Sequence, residues 1–370
     1  MSTTLYQDEQ LVTGCGYPVV VRFMAGEPGR PLVIFMPDVA HLARIAYGYP
    51  GGRAEDYLAF WLQRAGFSFL GASYPLEHVA FPDCCPDFTL RAWGLQTMEI
   101  ADQFMKAHQL GRRAIVLAWG AAGRTAEPVA AAARNLKIEL ELFVAVSASS
   151  PLSGAASTPA DIHARRTERG LLDLSGSLYP WSLRSLRDQN QLNGHLIVPE
   201  EIYLREFVGN CPVNVAASFQ RYRKGQFVRD PREALEDAAA FHYSGFPLCG
   251  VLYGSSARDA LNALLEPVAW GAYMVQALYQ HCVVPNAIDL GLLPSEAFRL
   301  LIEILHSAPK KLSEAVEGNH FFFVGARGAM ETVAALDRLR SRLRAVTREI
   351  LRLLESDVLP QRENLETKVK

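Results

Sequence analysis

The stretch Ala114-Ile-Val-Leu-Ala-Trp-Gly-Ala-Ala-Gly-Arg124 decides the fold. Four apolar residues lead into a group of small residues, and an alanine-rich segment of helical composition follows. This order predicts a strand, a sharp turn and a helix. The apex of the turn is predicted at Gly120, because the small residues Ala118 and Ala122 flank it at two positions on either side.

The segments on either side of this turn alternate between strand and helix patterns. Continuous apolar runs are typical of strands that are buried on both faces of a parallel sheet. The alternation predicts an α/β fold, with a mostly parallel sheet, helices on both faces and the turn near the middle. The predicted strands are residues 17–24, 31–36, 67–73, the run at 114–124 with its turn, and 138–147; the predicted helices are 54–65, 89–108 and 125–135.

The character of the chain changes near Pro151 and again near Phe246. Between them, stretches rich in Gly, Ser, Pro and charge alternate with helical patterns at 162–172 and 231–241, which predicts a mainly helical inserted cap. After it, the pattern predicts a strand at 247–254, helices at 262–281 and 295–306, and a long amphipathic helix at 329–355. The expected division is 1–150 for the first part of the core, 151–246 for the cap, 247–360 for the second part of the core and 361–370 for a polar tail.

Composition narrows the class of protein. The chain has 370 residues, 49% hydrophobic content and a net charge of −2, so a basic nucleic-acid-binding surface is not expected. Six cysteines without a C-x-x-C pair are typical of reduced thiols, not of a metal site. The polar N-terminus and the absence of an apolar run of about 18 residues predict a cytoplasmic protein without a membrane span.

Cofactor motifs are missing as well. Gly120-Ala-Ala-Gly123 lacks the G-x-G-x-x-G spacing of dinucleotide-binding loops, and the chain has no G-K-[ST] of a P-loop. No cofactor is expected, and the expected partner is a small molecule. The apolar stripe of the last helix is expected to pack in the core, while its outer turns would allow a homodimer.

Three pieces stand in a meaningful order: the turn at Gly120, an acid at Asp259 and a histidine in Glu317-Gly-Asn-His320. With the strand at 31–36 and the cap, this set resembles the α/β-hydrolase superfamily, whose chain order is nucleophile, acid, histidine. The resemblance implies that His320 is the general base and that Asp259 orients it. Asp289 and Asp237 are weaker candidates for the acid, and Asp259 is also interpretable as a helix N-cap.

The resemblance also implies an oxyanion hole formed by the backbone N–H groups of Val39 and Ala121. Asp38 is an unfavourable neighbour for a developing oxyanion, since its charge repels it; it is suited instead to stabilise a cation or to bind a hydroxyl group. His41 is expected either to pair with Asp38 or to cap the loop. Trp119, Asp38 and His41 are the expected substrate-binding residues.

The nucleophile position is empty, because Gly120 stands where a serine is expected. A second register puts the apex at Ala121, with the large Trp119 beside it, and this register lacks a nucleophile too. The loss is either natural or engineered. Three functions remain open: a hydrolase of the esterase or thioesterase class for a small apolar or acyl substrate, a non-hydrolytic enzyme of the lyase or cyclase type that depends on His320, and a catalytically silent protein that binds a small ligand.

Overall fold

The computed structural model describes residues 4–152, 165–286 and 289–368, with side chains described as far as Glu355. The strands are β1 (Glu9–Gly14), β2 (Tyr17–Met24), β3 (Leu32–Met36), β4 (Ser68–Ser73), β5 (Arg113–Trp119), β6 (Glu139–Val146), β7 (Arg165–Arg166), β8 (Leu171–Asp173), β9 (Cys211–Pro212), β10 (Gln220–Arg223), β11 (Gln226–Arg229), β12 (Cys249–Gly254) and β13 (Ser313–Val316). Eight of them form one sheet in the order β1-β2-β4-β3-β5-β6-β12-β13. The pairs β1/β2 and β2/β4 are antiparallel and the other five are parallel.

Helices connect and cover these strands, as the alternating pattern predicts. Every residue of β3 is buried, as expected for a central parallel strand with helices on both faces. The α-helices are α1 (Arg44–Tyr47), α2 (Leu58–Arg64), α3 (Leu90–Ala107), α4 (Ala126–Asn135), α5 (Leu178–Asn193), α6 (Glu200–Glu206), α7 (Val213–Ala216), α8 (Pro231–Asp237), α9 (Ala260–Leu264), α10 (Glu266–Leu278), α11 (Ser295–Lys311) and α12 (Ala326–Lys368).

Strand register brings two segments of the site together. β3 and β5 are neighbours, and Met36 is paired with Ala118. Asp38 and Gly120 each lie two residues beyond this pair, at the carboxyl ends of their strands. Because parallel strands end at the same edge of the sheet, Asp38 and Gly120 lie side by side.

The segment between β6 and β12 is less helical than its sequence indicates. Besides α5 to α8 it contains a three-stranded sheet, β7-β8-β9, and a hairpin, β10-β11. The helix expected at 162–172 is wrong where the chain is described: residues 165–173 form two short antiparallel strands joined by a turn at Gly170, whose φ of +80° suits glycine. The part of that expectation at 162–164 lies outside the described residues.

The last helix, α12, is longer than the predicted 329–355. Its apolar stripe, which includes Leu336, Leu339 and Ile350, is buried against the chain's own core. This stripe is therefore not free for a dimer contact. A homodimer through the other faces of this helix stays a prediction. None of the described helices combines the length and the apolar character that crossing a bilayer requires.

Candidate active site

The turn after β5 has its apex at Gly120. Gly120 has a φ of +58°, in the left-handed region that favours glycine, and a short 3-10 helix, Gly120–Thr125, leads from it into α4. A Cβ atom added at Gly120 would lie 2.0 Å from both Cγ and Oδ1 of Asp38. The Asp38 carboxylate therefore occupies the space that a nucleophilic side chain at the apex of this turn, called the nucleophile elbow in α/β-hydrolases, would fill.

Two backbone N–H groups bind this carboxylate. Asp38 Oδ1 accepts hydrogen bonds from the nitrogen of Val39, at 2.7 Å, and from that of Ala121, at 2.6 Å. These are the two N–H groups that the resemblance implied as an oxyanion hole. A carboxylate oxygen of the chain itself fills the hole.

The second carboxylate oxygen faces the histidine. Asp38 Oδ2 lies 3.2 Å from His320 Nε2, and His320 Nδ1 lies 3.3 Å from Asp259 Oδ2. The imidazole thus stands between two carboxylates, one on each ring nitrogen. Asn262 donates to Asp259 Oδ1 at 2.6 Å and fixes the second carboxylate.

Asp38, His320 and Asp259 form a charged row, in which opposite charges on neighbouring groups stabilise one another. Burial lowers the pKa of His320, but the charges and hydrogen bonds of Asp259 and Asp38 outweigh it and raise the pKa to about 10. Burial raises the pKa of Asp38, yet His320 and the Ala121 N–H outweigh that effect and hold the pKa below its ordinary value. These shifts favour an imidazolium between two carboxylates at neutral pH, a form that can donate a proton through Nε2.

Aromatic rings enclose the histidine. The ring centroids of Trp119 and Trp181 lie 5.1 Å and 5.3 Å from that of His320. The Trp119 indole donates to the His320 carbonyl at 3.1 Å, and this fixes the backbone of the histidine loop. Asp38, Asp259 and His320 are 4–6% exposed. The centre is shielded from bulk solvent, which strengthens the charge interactions in it.

His41 does not pair with Asp38, contrary to that interpretation of the sequence. Its Nδ1 lies 2.7 Å from the Val39 carbonyl and its Nε2 lies 2.6 Å from the Tyr203 hydroxyl. Burial lowers the pKa of His41 to about 4, so the ring is neutral. Since a carbonyl only accepts, Nδ1–H donates to Val39 and Nε2 accepts from Tyr203. His41 thereby fixes the carbonyl of Val39, the residue whose N–H binds Asp38.

The two weaker acid candidates lie elsewhere. Asp289 caps a short 3-10 helix by accepting from the Gly291 nitrogen at 2.9 Å. Asp237 pairs with Arg221 at 2.8 Å and accepts from the Leu90 nitrogen. Asp259 precedes α9 but makes no N-cap hydrogen bond with its side chain, which is directed to His320. In the described ranges, no group of three or more His, Cys, Asp or Glu side chains could hold a metal ion.

Three residues of the site were not predicted from the sequence: Trp181, Tyr203 and Asn262. The first two come from the cap helices α5 and α6, and no local pattern relates them to His320. Asn262 did carry a signal, because it follows the acid by three residues, which is close to one helical turn.

Comparisons with known proteins bear on the fold. No protein-family model and no curated protein matches the sequence. Among solved structures, the esterase RhEst1 from Rhodococcus sp. ECU1013 is 14% identical, with 91% of this chain and 100% of that chain covered at a TM-score of 0.51. An esterase from Thermogutta terrifontis is 13% identical, with 92% and 99% covered, at a TM-score of 0.47. With the sheet order and the turn at Gly120, the first likeness establishes that this chain has the α/β-hydrolase fold.

Proposed function

We propose that this chain is a hydrolase in which the Asp38 carboxylate replaces the elbow serine as nucleophile. One observation carries the proposal: Asp38 holds one oxygen in the two-amide hole and the other beside His320 Nε2. A carboxylate placed in this way can form an ester whose carbonyl oxygen already lies in an oxyanion hole.

The charge state of His320 favours one class of substrate. Asp38 Oδ2 attacks a saturated carbon, a C–O bond forms, and the bond from that carbon to its leaving group breaks. An imidazolium at Nε2 can give its proton to an oxygen leaving group, which then departs as a hydroxyl. A neutral substrate with a strained C–O bond, such as an epoxide with an apolar substituent, fits both the acid and the aromatic surroundings.

The same proton transfer prepares the second step. Once Asp38 is an ester and His320 has given up a proton, one of the two carboxylate charges that raised the pKa of His320 is lost; that of Asp259 remains, and the neutral ring can act as a base. His320 takes a proton from water, whose oxygen attacks Asp38 Cγ while Val39 and Ala121 stabilise the charge on Oδ1. The Cγ–Oδ2 bond breaks, the alcohol leaves with a proton from His320, and the new carboxyl group returns a proton to His320.

Acyl transfer from an ester or thioester, which the resemblance implied, is less compatible with this arrangement. A substrate carbonyl cannot enter the hole while Asp38 Oδ1 accepts both N–H groups. Gly120 has no side chain to attack with, and Ala121, the alternative apex, contributes its N–H group instead. The ester and thioester substrates stay predictions that the same assays can test.

Turnover of an aryl epoxide, compared with that of a 4-nitrophenyl ester, tests the proposal. We expect the epoxide to give a diol, and Asp38→Asn to abolish this activity, because the amide keeps the hydrogen-bonding shape but loses the nucleophile. Asp102→Asn is the matched control, since Asp102 pairs with Lys106 and Arg112 on the helical face of the fold. Equal epoxide turnover by Asp38→Asn and the unmodified protein contradicts the proposal.

One observation favours a second function, ligand binding without turnover. All three members of the charged row are at least 94% buried, and each Asp38 oxygen already has a hydrogen-bond partner. Such a satisfied row can be purely structural. Saturable binding of the epoxide without product, unchanged in Asp38→Asn, identifies this second function. Turnover that requires His320 but not Asp38 identifies the non-hydrolytic alternative.

A further inference from the structure

A cavity lies at the opposite end of the parallel strands from the candidate active site. It has a volume of about 470 Å³ and lies between the start of β6, helix α4 and helix α12. Arg113, at the amino end of β5, lines it, whereas Gly120 follows the carboxyl end of the same strand. At a rise of roughly 3.3 Å per residue, the two sites are about 20 Å apart.

The cavity has an apolar wall. Its size falls within the range of small-molecule sites, roughly 300–1,000 Å³. Leucine, isoleucine and alanine side chains from α4, β6, α12 and the residues just before β6 and β12 form the wall. They include Ala133, Ile138, Leu142, Leu248 and Leu343.

Charged side chains form its rim. Four arginines and two glutamates line the cavity, and two of the arginines have further carboxylate partners, Arg134 in Glu127 and Arg340 in Asp337. Glu141 accepts from Arg340 at 2.8 Å and from Arg344 at 2.7 Å, and Arg113 lies 3.8 Å from its other oxygen. Arg113 and Arg344 therefore share one carboxylate, Glu141, with Arg340.

Arg113 and Arg344 are the accessible members of this set. Their side chains are 41% and 56% exposed, whereas that of Arg340 is 9% exposed. An entering anion can share Arg113 and Arg344 with Glu141, while Arg340 keeps Glu141, at 2.8 Å, and Asp337, at 3.1 Å, as partners. Guanidinium groups bind carboxylate and phosphate oxygens in a two-pronged geometry.

We propose that this cavity binds a single-chain anionic amphiphile, with its carboxylate or phosphate at Arg113 and Arg344 and its apolar body against the wall that Leu343 and Leu248 form. This site is independent of the function proposed for Asp38.

Titration calorimetry with decanoate tests the site. Decanoate is expected to saturate at one site, while decanol and decyltrimethylammonium bind at least tenfold more weakly. Arg344→Gln and Arg113→Gln are each expected to lower the affinity for decanoate about tenfold. Arg348→Gln, one helical turn further along α12 and exposed, is the matched control and leaves affinity unchanged. Decanoate binding that none of these arginine changes weakens overturns the proposal.

Two further experiments test the role of the apolar wall and the source of the anionic group. Ala133→Phe fills the cavity without a change in charge and should abolish decanoate binding, with helix content and unfolding temperature as checks on folding. Binding that persists in a folded Ala133→Phe protein places the ligand elsewhere and contradicts the site. Sedimentation with anionic vesicles, without binding of monomeric decanoate, overturns it in favour of a membrane surface.

Discussion

Asp38 Oδ1 lies 2.6 Å from the backbone nitrogen of Ala121, the residue directly after the elbow apex. In a site with a serine nucleophile, this N–H donates a hydrogen bond to the oxyanion of the substrate. Here it binds a carboxylate that belongs to the chain, and the same carboxylate contacts His320 through its other oxygen. The nucleophile position and the hole are thus filled by one side chain.

The first prediction concerns the charge of His320. Nitrogen-15 NMR at pH 8 should show both ring nitrogens protonated, because the pKa is raised to about 10. Asp38→Asn removes one of the two carboxylate charges, so the pKa should fall. The stability that this raised pKa contributes is fully present below the unfolded pKa of about 6.5 and is lost as pH rises through about 10. A ring that is neutral at pH 8 in the unmodified protein contradicts this arrangement.

The second prediction concerns restoration of a serine. Gly120→Ser alone should destabilise the protein by roughly 1–3 kcal/mol through overpacking, because its Cβ meets Asp38 at 2.0 Å. It should show no esterase activity, since Asp38 still fills the hole. Asp38→Ala combined with Gly120→Ser vacates that space and should hydrolyse 4-nitrophenyl butyrate. Chemical denaturation and ester assays check both variants, with Asp38→Ala alone as control. A folded, inactive double variant would mean that the acyl-transfer scaffold is not retained.

Local patterns predicted the sheet well. The runs at 31–36 and 67–73 become β3 and β4 almost unchanged, because continuous burial leaves a clear apolar signature. The short strands β7 and β8 were misjudged, since two- and three-residue strands depend on their partners more than on their own composition.

The charged row could be predicted only in part. The order of Gly120, Asp259 and His320 is visible along the chain, and the repulsion between Asp38 and an oxyanion was anticipated. What the sequence did not indicate is that Asp38 would itself enter the hole. That outcome depends on the register of β3 against β5, which places residue 38 beside residue 120 in space.

The third prediction concerns Glu266, a buried carboxyl group outside the charged row. It accepts from the Ser150 nitrogen at 2.8 Å, in the segment whose Ser149 nitrogen donates to the Gly120 carbonyl. Burial raises its pKa to about 7 despite the Ser150 hydrogen bond. The folded state therefore holds more protons than the unfolded state between pH 4.5 and 7, and stability falls as pH rises through that window.

Glu266→Gln keeps the side chain neutral and should remove this fall. Relative to the unmodified protein, the variant should gain up to about 3 kcal/mol between pH 4.5 and pH 8. Urea unfolding across this range measures the difference, with the exposed Glu296→Gln as control. Parallel stability curves for Glu266→Gln and the unmodified protein would show that Glu266 does not titrate in this window.

The most direct test of the central claim is a single turnover in water labelled with oxygen-18, with enzyme in excess over an aryl epoxide. If Asp38 forms the ester, water attacks its Cγ and the original Oδ2 leaves with the product. We then expect the peptide that contains Asp38 to gain 2 mass units and the first diol to carry no label. A labelled diol with an unlabelled Asp38 peptide would show direct attack of water on the substrate and would contradict the account.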